Sequence, residues 1–143
     1  MDELLQLKDL FSKYDYSIVT EKTGATLLLK RIYGKRIFYL PYATRHNMWK
    51  YSFIFPFNCL KSVYFYFRIQ PDVIVTTGTH TAVPMCYIAH LFKKKVIYIE
   101  TFANIYTKTL SGKMVYPIAD HFIVQWESML KVYPDAKYRG RIF

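Results

Sequence analysis

Residues 76–81, Thr-Thr-Gly-Thr-His-Thr, hold the densest set of side chains in this chain that could grip an anion. Gly78 allows a tight turn from strand to helix. Thr81 then reads as the N-cap, and Pro84 falls in the first helical turn, where its missing N–H costs little. The free N–H groups and positive dipole end of such a helix start favour a phosphate. Thr77, Gly78, Thr79 and His80 are therefore candidate ligand contacts; the plainer alternative is a well-capped turn with no ligand. Glu100 ends an otherwise apolar run, either as a rim ligand or as the cap of a neighbouring loop. It has no histidine partner nearby in the sequence, which leaves it a weak catalytic candidate. Ser111-Gly112-Lys113 sits inside a helical segment, where glycine costs about 1 kcal/mol relative to alanine. Either the helix packs closely there, or the bare backbone admits a ligand or another chain, with Lys113 supplying charge. Gln125, Trp126 and Glu127 follow a third apolar run and complete the candidates. No Cys/His cluster has zinc-like spacing, so neither a metal nor another cofactor is expected. Cys59 and Cys86 lie in apolar runs and read as buried thiols of a reducing compartment.

The elements that must position these groups alternate regularly after Pro71. Strands are expected at residues 72–76, 95–100 and 121–125, and helices at 81–92, 109–119 and 127–132. Before Pro71 the pattern predicts helices at 1–13 and 25–32, strands at 16–20 and 36–40, and an aromatic helix at 47–70. Strand–helix–strand at this pitch gives right-handed βαβ units: an α/β fold with a parallel, Rossmann-like sheet and flanking helices. Ligands bind such sheets at the carboxyl ends of the strands, so the loops after residues 76, 100 and 125 are expected side by side on one rim.

The 143 residues suit one domain. Hydrophobic residues are 52% and charged residues 21%, which excludes a disordered or collagen-like chain. Twenty Lys and Arg against ten Asp and Glu, a formal charge of +10, point to an anionic partner. Nucleic acid is disfavoured because the cations are spread, 11 against 5 acidic residues in 1–70 and 9 against 5 in 71–143, with no RNA-binding strand motif. The chain holds 14 Tyr, 11 Phe and 2 Trp, and nine of these 27 aromatics fall in residues 47–70. At 100° per residue from Lys50, Lys61 falls at about 20° and Arg68 near 0°, so the three cations form one stripe. Asn58 falls at about 80°, and aromatics such as Phe53 and Phe57 cover the remainder, with a kink expected at Pro56. Such a helix suits the surface of an anionic membrane, although a core-covering helix with a solvated basic face is the alternative. The longest uncharged aromatic run, residues 51–60, is half the roughly 20 residues a spanning helix needs. No signal peptide is legible at the acidic start.

Residues 71–78 (PDVIVTTG), 96–101 (VIYIET), 110–113 (LSGK), 122–127 (FIVQWE), Tyr133-Pro134 and Gly140-Arg141-Ile142 occur in that order. Together they resemble the membrane-anchor subunit of split glycosyltransferases, and residues 20–23 and 39–42 extend the likeness. The eukaryotic member of that family helps make lipid-linked di-N-acetylchitobiose; bacterial members serve capsule and exopolysaccharide assembly. The resemblance implies the N-terminal, acceptor-side half of a GT-B transferase, completed by a separate small subunit that carries the nucleotide-sugar site. It implies a polyprenyl-diphosphate-sugar acceptor and a peripheral place on the cytoplasmic face of the plasma membrane. On this reading Thr77, Gly78, Thr79 and His80 contact the acceptor, Glu100 orients a sugar hydroxyl, and Gln125, Trp126 and Glu127 border the cleft or partner face. The 47–70 segment, through Lys50, Phe53, Phe57, Lys61 and Arg68, would dock to the membrane. A stand-alone small nucleotide-sugar transferase is the other enzyme reading. Two departures from the family stand out. The family opens with a strand and a Gly-Gly-His loop that have no counterpart here, so the sheet is expected to lack a central strand. A basic residue often follows the glutamate by four positions; Asn104 takes that place.

Overall fold

The structure is a computed structural model that describes residues 2–42 and 48–140, with the side chains at 2, 10, 11, 48 and 50–52 left out. Its strongest elements are short strands whose two faces are both apolar. Strand β4 (Lys95–Ile99) buries Val96, Tyr98 and Ile99, as a strand covered by helices on both sides should. It lies between β3 (Val73–Thr76) and β5 (His121–Val124), both parallel to it, and β6 (Lys137–Tyr138) extends the sheet as β3-β4-β5-β6. A separate two-stranded parallel sheet pairs β1 (Ile18–Glu21) with β2 (Ile37–Leu40). The expected single sheet is thus divided in two. Among the described residues no strand lies between β1 and β3, and a cavity of about 340 Å³ separates them.

Helices α1 (Asp2–Leu5), α2 (Lys8–Phe11), α3 (Gly24–Leu27), α4 (Leu29–Tyr33), α5 (Met48–Ile69), α6 (Val83–Leu91) and α7 (Leu110–Val115) complete the chain. The start of α3 is fixed by a capping box: the Thr26 amide donates to Thr23 Oγ1, and the Thr23 amide donates to Thr26 Oγ1 at 2.8 Å. The Thr26 hydroxyl also reaches the Glu21 carbonyl at 2.6 Å, which ties this helix to the end of β1. The main core joins α5, α6 and the larger sheet through Phe65, Tyr66, Cys86, Ala89, Tyr98 and Val124, with Tyr133 and Met129 closing the far side. Tyr98 and Phe122 stack with centroids 4.7 Å apart. Cys86 is fully buried and desolvation pushes its thiol up to about 12; Cys59 is half-buried, and both are free thiols.

The three central strands fall where the sequence places them, and several helices differ. The expected helix over 1–13 is two single turns, and that over 25–32 divides at Leu28, although Leu28 itself keeps helical dihedrals. Helix α5 runs unbroken through Pro56, which lies on an exposed side where water can meet the carbonyl that loses its donor. Thr81 is not an N-cap. It is buried within a 3-10 turn, His80–Ala82, and its hydroxyl donates to Thr79 Oγ1, while Ala82 precedes α6 with no side-chain cap. Pro84 does stand in the first turn of α6. The segment after Trp126 is a 3-10 turn, Glu127–Lys131, rather than an α-helix.

Candidate functional site

The carboxyl end of β1 and the turn after β3 meet at one rim, beside the start of α7. There an open cavity of about 350 Å³ is lined by Glu21, Gly78, Thr79, His80, Leu110 and Ser111. Gly78 turns the chain at φ 91°, a conformation an L side chain rarely adopts, and a Cβ here would meet the Tyr98 hydroxyl. The turn is anchored from below. Ser111 Oγ donates to the Gly78 carbonyl at 2.7 Å, Tyr98 Oη donates to Ser111 Oγ at 3.2 Å, and the Gly78 amide donates to Thr76 Oγ1 at 3.3 Å. The loop that carries Thr77, Thr79 and His80 is therefore held at a fixed height above the sheet. Ser111 acts from beneath it as an anchor.

Glu21 is the group that reading the motifs missed. It ends β1 and joins Gly78, Thr79 and His80 at the rim cavity. Burial raises its carboxyl above the ordinary range, opposed by the Thr81 hydroxyl and by the charge of His80. Its Oε1 is buried with no hydrogen-bond partner within the described residues. The sequence signal was its place: a carboxylate at the carboxyl end of a strand, like Glu100.

Glu100 itself is buried, 1% exposed, beneath α7. Thr109 Oγ1 bonds its carboxylate at 3.0 and 3.1 Å, Tyr133 Oη donates to Oε2 at 3.1 Å, and the Thr101 amide donates to Oε1 at 3.2 Å. Thr109 also caps α7, accepting from the Gly112 amide at 3.0 Å. Desolvation raises the Glu100 carboxyl, against the hydrogen bonds that favour its charged form. It pushes Tyr98 up to about 12 and Tyr133 higher still, with the nearby Glu100 charge adding to both. Gly112 explains itself here. A Cβ would lie 2.5 Å from Glu100 Oε2 and 2.7 Å from Thr109 Oγ1, so close packing, and no open backbone, is the reason for glycine in this helix. Lys113 points outward and is exposed.

At the end of β5, Gln125 is buried and Trp126 is half-buried. Trp126 Nε1 donates to the Phe102 carbonyl at 2.8 Å and its ring packs on Phe102, while Ser128 Oγ donates to the Ile105 carbonyl at 2.7 Å. These bonds clamp the loop after β4 to the end of β5. Glu127 remains exposed beside them. The rim thus unites Gly78, Thr79 and His80 with Glu21 and Ser111, while Thr77 lines the cavity between the two sheets; Glu100, Gly112 and Gln125 are buried, and Trp126 and Glu127 follow the end of β5.

Helix α5 has two unlike faces. Asn58, Ser62 and Phe65 are buried, with Asn58 Nδ2 donating to the Pro41 carbonyl at 3.0 Å. On the opposite side Trp49 (82% exposed), Phe53 (76%), Phe57, Leu60, Tyr64 and Phe67 face outward. Taking Trp49 as zero, these six span about 0–80°, while Lys61 and Arg68 border them at about 100–120°. Lys61 lies over the Phe65 ring at 5.5 Å, and Arg68 donates to Tyr64 Oη at 2.9 Å. The Lys50 side chain lies outside the described residues.

Parallel strands wound with helices, and a polar rim at their carboxyl ends, define a Rossmann-like α/β fold. MurG of Acinetobacter baumannii, a GT-B glycosyltransferase, shares this fold with a TM-score of 0.73 at 14% identity, covering 97% of this chain and 41% of MurG. The chain belongs to the family described as "Oligosaccharide biosynthesis protein Alg14 like", whose model matches residues 34–142. Similar proteins include the UDP-N-acetylglucosamine transferase subunits of rat (38% identical over 96 residues, 60% of this chain and 44% of that protein) and human (33% over 107 residues, 71% and 44%). That of Candida albicans is 40% identical over 96 residues, 63% of this chain and 41% of that protein. The chain spans less than half the length of these relatives.

Proposed function

We propose that this protein is the acceptor-binding, activating subunit of a two-component glycosyltransferase, peripheral on the cytoplasmic face of a bacterial plasma membrane. With a separate donor-binding subunit it adds a sugar from a nucleotide sugar to a polyprenyl-diphosphate-linked acceptor in polysaccharide assembly. The observation that supports this best is one α/β domain, matching 41% of MurG, in a family whose relatives are named as transferase subunits. A GT-B transferase works in the cleft between two such domains, and this chain supplies one.

In this reading the diphosphate or first sugar sits at the Gly78 turn. Backbone N–H groups, Thr77, Thr79 and His80 meet its oxygens, and Glu21 accepts from a sugar hydroxyl. Glu100 positions α7 and the turn through Thr109, Tyr133 and Ser111 and touches no substrate. Trp126, Glu127 and exposed Lys113 form the edge toward the cleft or partner. Helix α5 lays its aromatic face in the membrane interface, with Lys61 and Arg68 toward anionic headgroups. The described residues contain no helix long and apolar enough to cross a membrane.

Reconstitution tests the reading. Purified protein is incubated with labelled nucleotide sugar and a polyprenyl-diphosphate-sugar acceptor in anionic vesicles, with and without a donor-binding subunit. Transfer is expected only with both chains. Turnover by this chain alone would instead make it a stand-alone small transferase.

A further inference from the structure

Five side chains, Tyr133, Glu100, Thr109, Tyr98 and Ser111, form one line of oxygens that ends at the Gly78 turn. Tyr133 Oη lies 3.1 Å from Glu100 Oε2, and Thr109 Oγ1 lies 3.0 and 3.1 Å from the two oxygens of the same carboxyl. Thr109 Oγ1 lies 3.3 Å from Tyr98 Oη, Tyr98 Oη 3.2 Å from Ser111 Oγ, and Ser111 Oγ 2.7 Å from the Gly78 carbonyl oxygen. All but Thr109 are buried. Each link in the line, Tyr133–Glu100, Glu100–Thr109, Thr109–Tyr98, Tyr98–Ser111 and Ser111–Gly78, needs one proton, and each hydroxyl has one to give. With Glu100 ionised, Tyr133 and Thr109 donate to the carboxylate, Tyr98 to Ser111 and Ser111 to Gly78. The Thr109–Tyr98 link then holds two oxygens with no proton between them. With Glu100 protonated on Oε1, the acid donates to Thr109, Thr109 donates to Tyr98, and every link is filled. All donors then point one way, from Tyr133 to Gly78, the arrangement in which hydrogen bonds reinforce one another. The Thr101 and Gly112 amides keep their bonds to Glu100 Oε1 and Thr109 Oγ1 in either state.

We propose that neutral Glu100 is a positioning residue for the rim: its acid proton completes a one-way chain of hydroxyls that fixes the Gly78–Thr79 peptide, and ionisation breaks that chain. The consequence for ligand binding rests on the reading of the Gly78 turn as the seat of an anionic acceptor group. The last link sets the peptide plane. The bond is trans, so with the Gly78 carbonyl drawn to Ser111 the Thr79 N–H points the opposite way. Thr79 lines the rim cavity, and this N–H is the donor that the chain holds ready for a phosphate oxygen. Gly112 serves the same device, because a Cβ there would strike Tyr133 Oη, Glu100 Oε2 and Thr109 Oγ1 together. The surroundings favour the acid. Desolvation acts most strongly on the carboxyl, and the like charge of Glu3 on α1 adds to it, against the bonds from Thr109, Thr101 and Tyr133. Tyr98 on β4, Tyr133 after the 3-10 turn and Cys86 on α6 are all pushed upward and stay neutral while Glu100 titrates. The cation Lys108 lies over the Tyr133 ring at 5.0 Å, and Glu21 and His80 are the titratable groups at the rim end. The chain is therefore complete at low pH and is lost as pH rises through the folded value of Glu100.

NMR titration of the chain tests this. Glutamate carboxyl carbon shifts, assigned through Glu100→Gln, give the pH at which Glu100 ionises, and the Thr79 amide shift is followed over the same range. In wild type the Thr79 amide is expected to move with the Glu100 midpoint. Glu100→Gln, whose amide N–H stands in for the acid proton, is expected to lose that step and keep any step owed to His80 or Glu21. Tyr98→Phe and Ser111→Ala each cut the chain between Glu100 and Gly78. In both, Glu100 is expected to ionise still, while Thr79 no longer follows. A Thr79 amide that ignores the Glu100 midpoint in wild type, or follows it in the cut variants, overturns the proposal. A second arm titrates inorganic pyrophosphate. Its affinity for wild type, taken relative to Glu100→Gln so that its own ionisation cancels, is expected to fall about fivefold or more as pH rises through the midpoint, the effect of one hydrogen bond. Pyrophosphate bound at a constant ratio overturns the positioning role. No pyrophosphate binding by either protein, with the coupled titration intact, counts instead against the rim as an anion site and supports the link from Glu100 to Thr79.

Discussion

His80 and Glu21 come from loops about 60 residues apart, and only the fold brings them to one rim. Replacing His80 by Ala removes one hydrogen-bonding group at the Gly78 turn. If it meets a diphosphate oxygen, the loss of a charge-assisted bond, about 1.5–3 kcal/mol, lowers activity of the assembled enzyme roughly ten- to a hundredfold. Folding and partner binding are expected unchanged by circular dichroism and co-purification. A wild-type rate would return the loop to a purely structural turn. Gly112→Ala has the opposite profile. Helix propensity favours Ala by about 1 kcal/mol, but the new Cβ strikes Glu100 and Thr109 and disturbs the cap that Thr109 gives α7. Overpacking of about 1–3 kcal/mol plus the lost cap outweighs the propensity gain, so urea unfolding is expected at lower midpoint with an unchanged slope. Glu100 sets a pH dependence. Its carboxyl is raised in the folded protein, so the folded state binds more protons than the unfolded state above the ordinary carboxylate range. Stability from this group is fully present below that range and is lost as pH rises through the folded value. Glu100→Gln is therefore expected to gain melting temperature relative to wild type as pH rises from 4 toward 8. The same offset at every pH would show that the group stays in one protonation state throughout.

At the scale of elements, the strands were legible because their chemistry is local. Val96, Tyr98 and Ile99 make a run that only a two-sided cover can bury, so its place in a parallel sheet follows from residue type. The helices were less legible. Thr81 has the right type for a cap, yet the 3-10 turn before α6 takes it inward. Glu100, at a strand end, reads either as a rim group or as the N-cap partner of a neighbouring loop; its bonds to Thr109, the N-cap of α7, and to Tyr133 match the second, with partners that the sequence gives no means of placing. In α5 Lys61 and Arg68 lie near one another, as the 100° arithmetic expects, but which side is buried is decided by what packs on it, Pro41 and the core around Phe65. The outcome is an exposed aromatic face with cations along one border. Each cation near an anionic surface contributes about 1 kcal/mol, so Glu at positions 50, 61 and 68 together is expected to weaken binding to anionic vesicles by a hundredfold or more. High salt reproduces part of that loss. Phe53→Ser with Phe57→Ser removes apolar contact, about 25 cal/mol per Å² buried, and weakens binding with the salt dependence preserved. Co-sedimentation measures both; wild-type protein that stays in the supernatant, with partner present, would make this face a subunit interface.

At the scale of the whole molecule, the rim and the α5 face are two separate surfaces of the chain. In the proposed reading the rim, an open cavity lined by Glu21 and the Gly78 turn, faces a second wall that holds the nucleotide sugar against it. The edge of Trp126 and Glu127, fixed by the Trp126 bond to the loop after β4, is a rigid polar edge on which such a wall could rest. A partner seated there closes the cleft, excludes water from the rim and strengthens every polar contact at the Gly78 turn. Partner binding and acceptor binding are then coupled, and by linkage each tightens the other by the same factor. The expected observation is that acceptor lipid in vesicles raises the partner's affinity for this chain several-fold, and that Glu127→Lys weakens partner binding while leaving the melting temperature of the isolated chain unchanged. Titration of labelled partner, with and without acceptor, measures it. Equal affinity in both titrations would mean that the two subunits meet away from the rim, and the cleft would have to be sought on another face of the sheet.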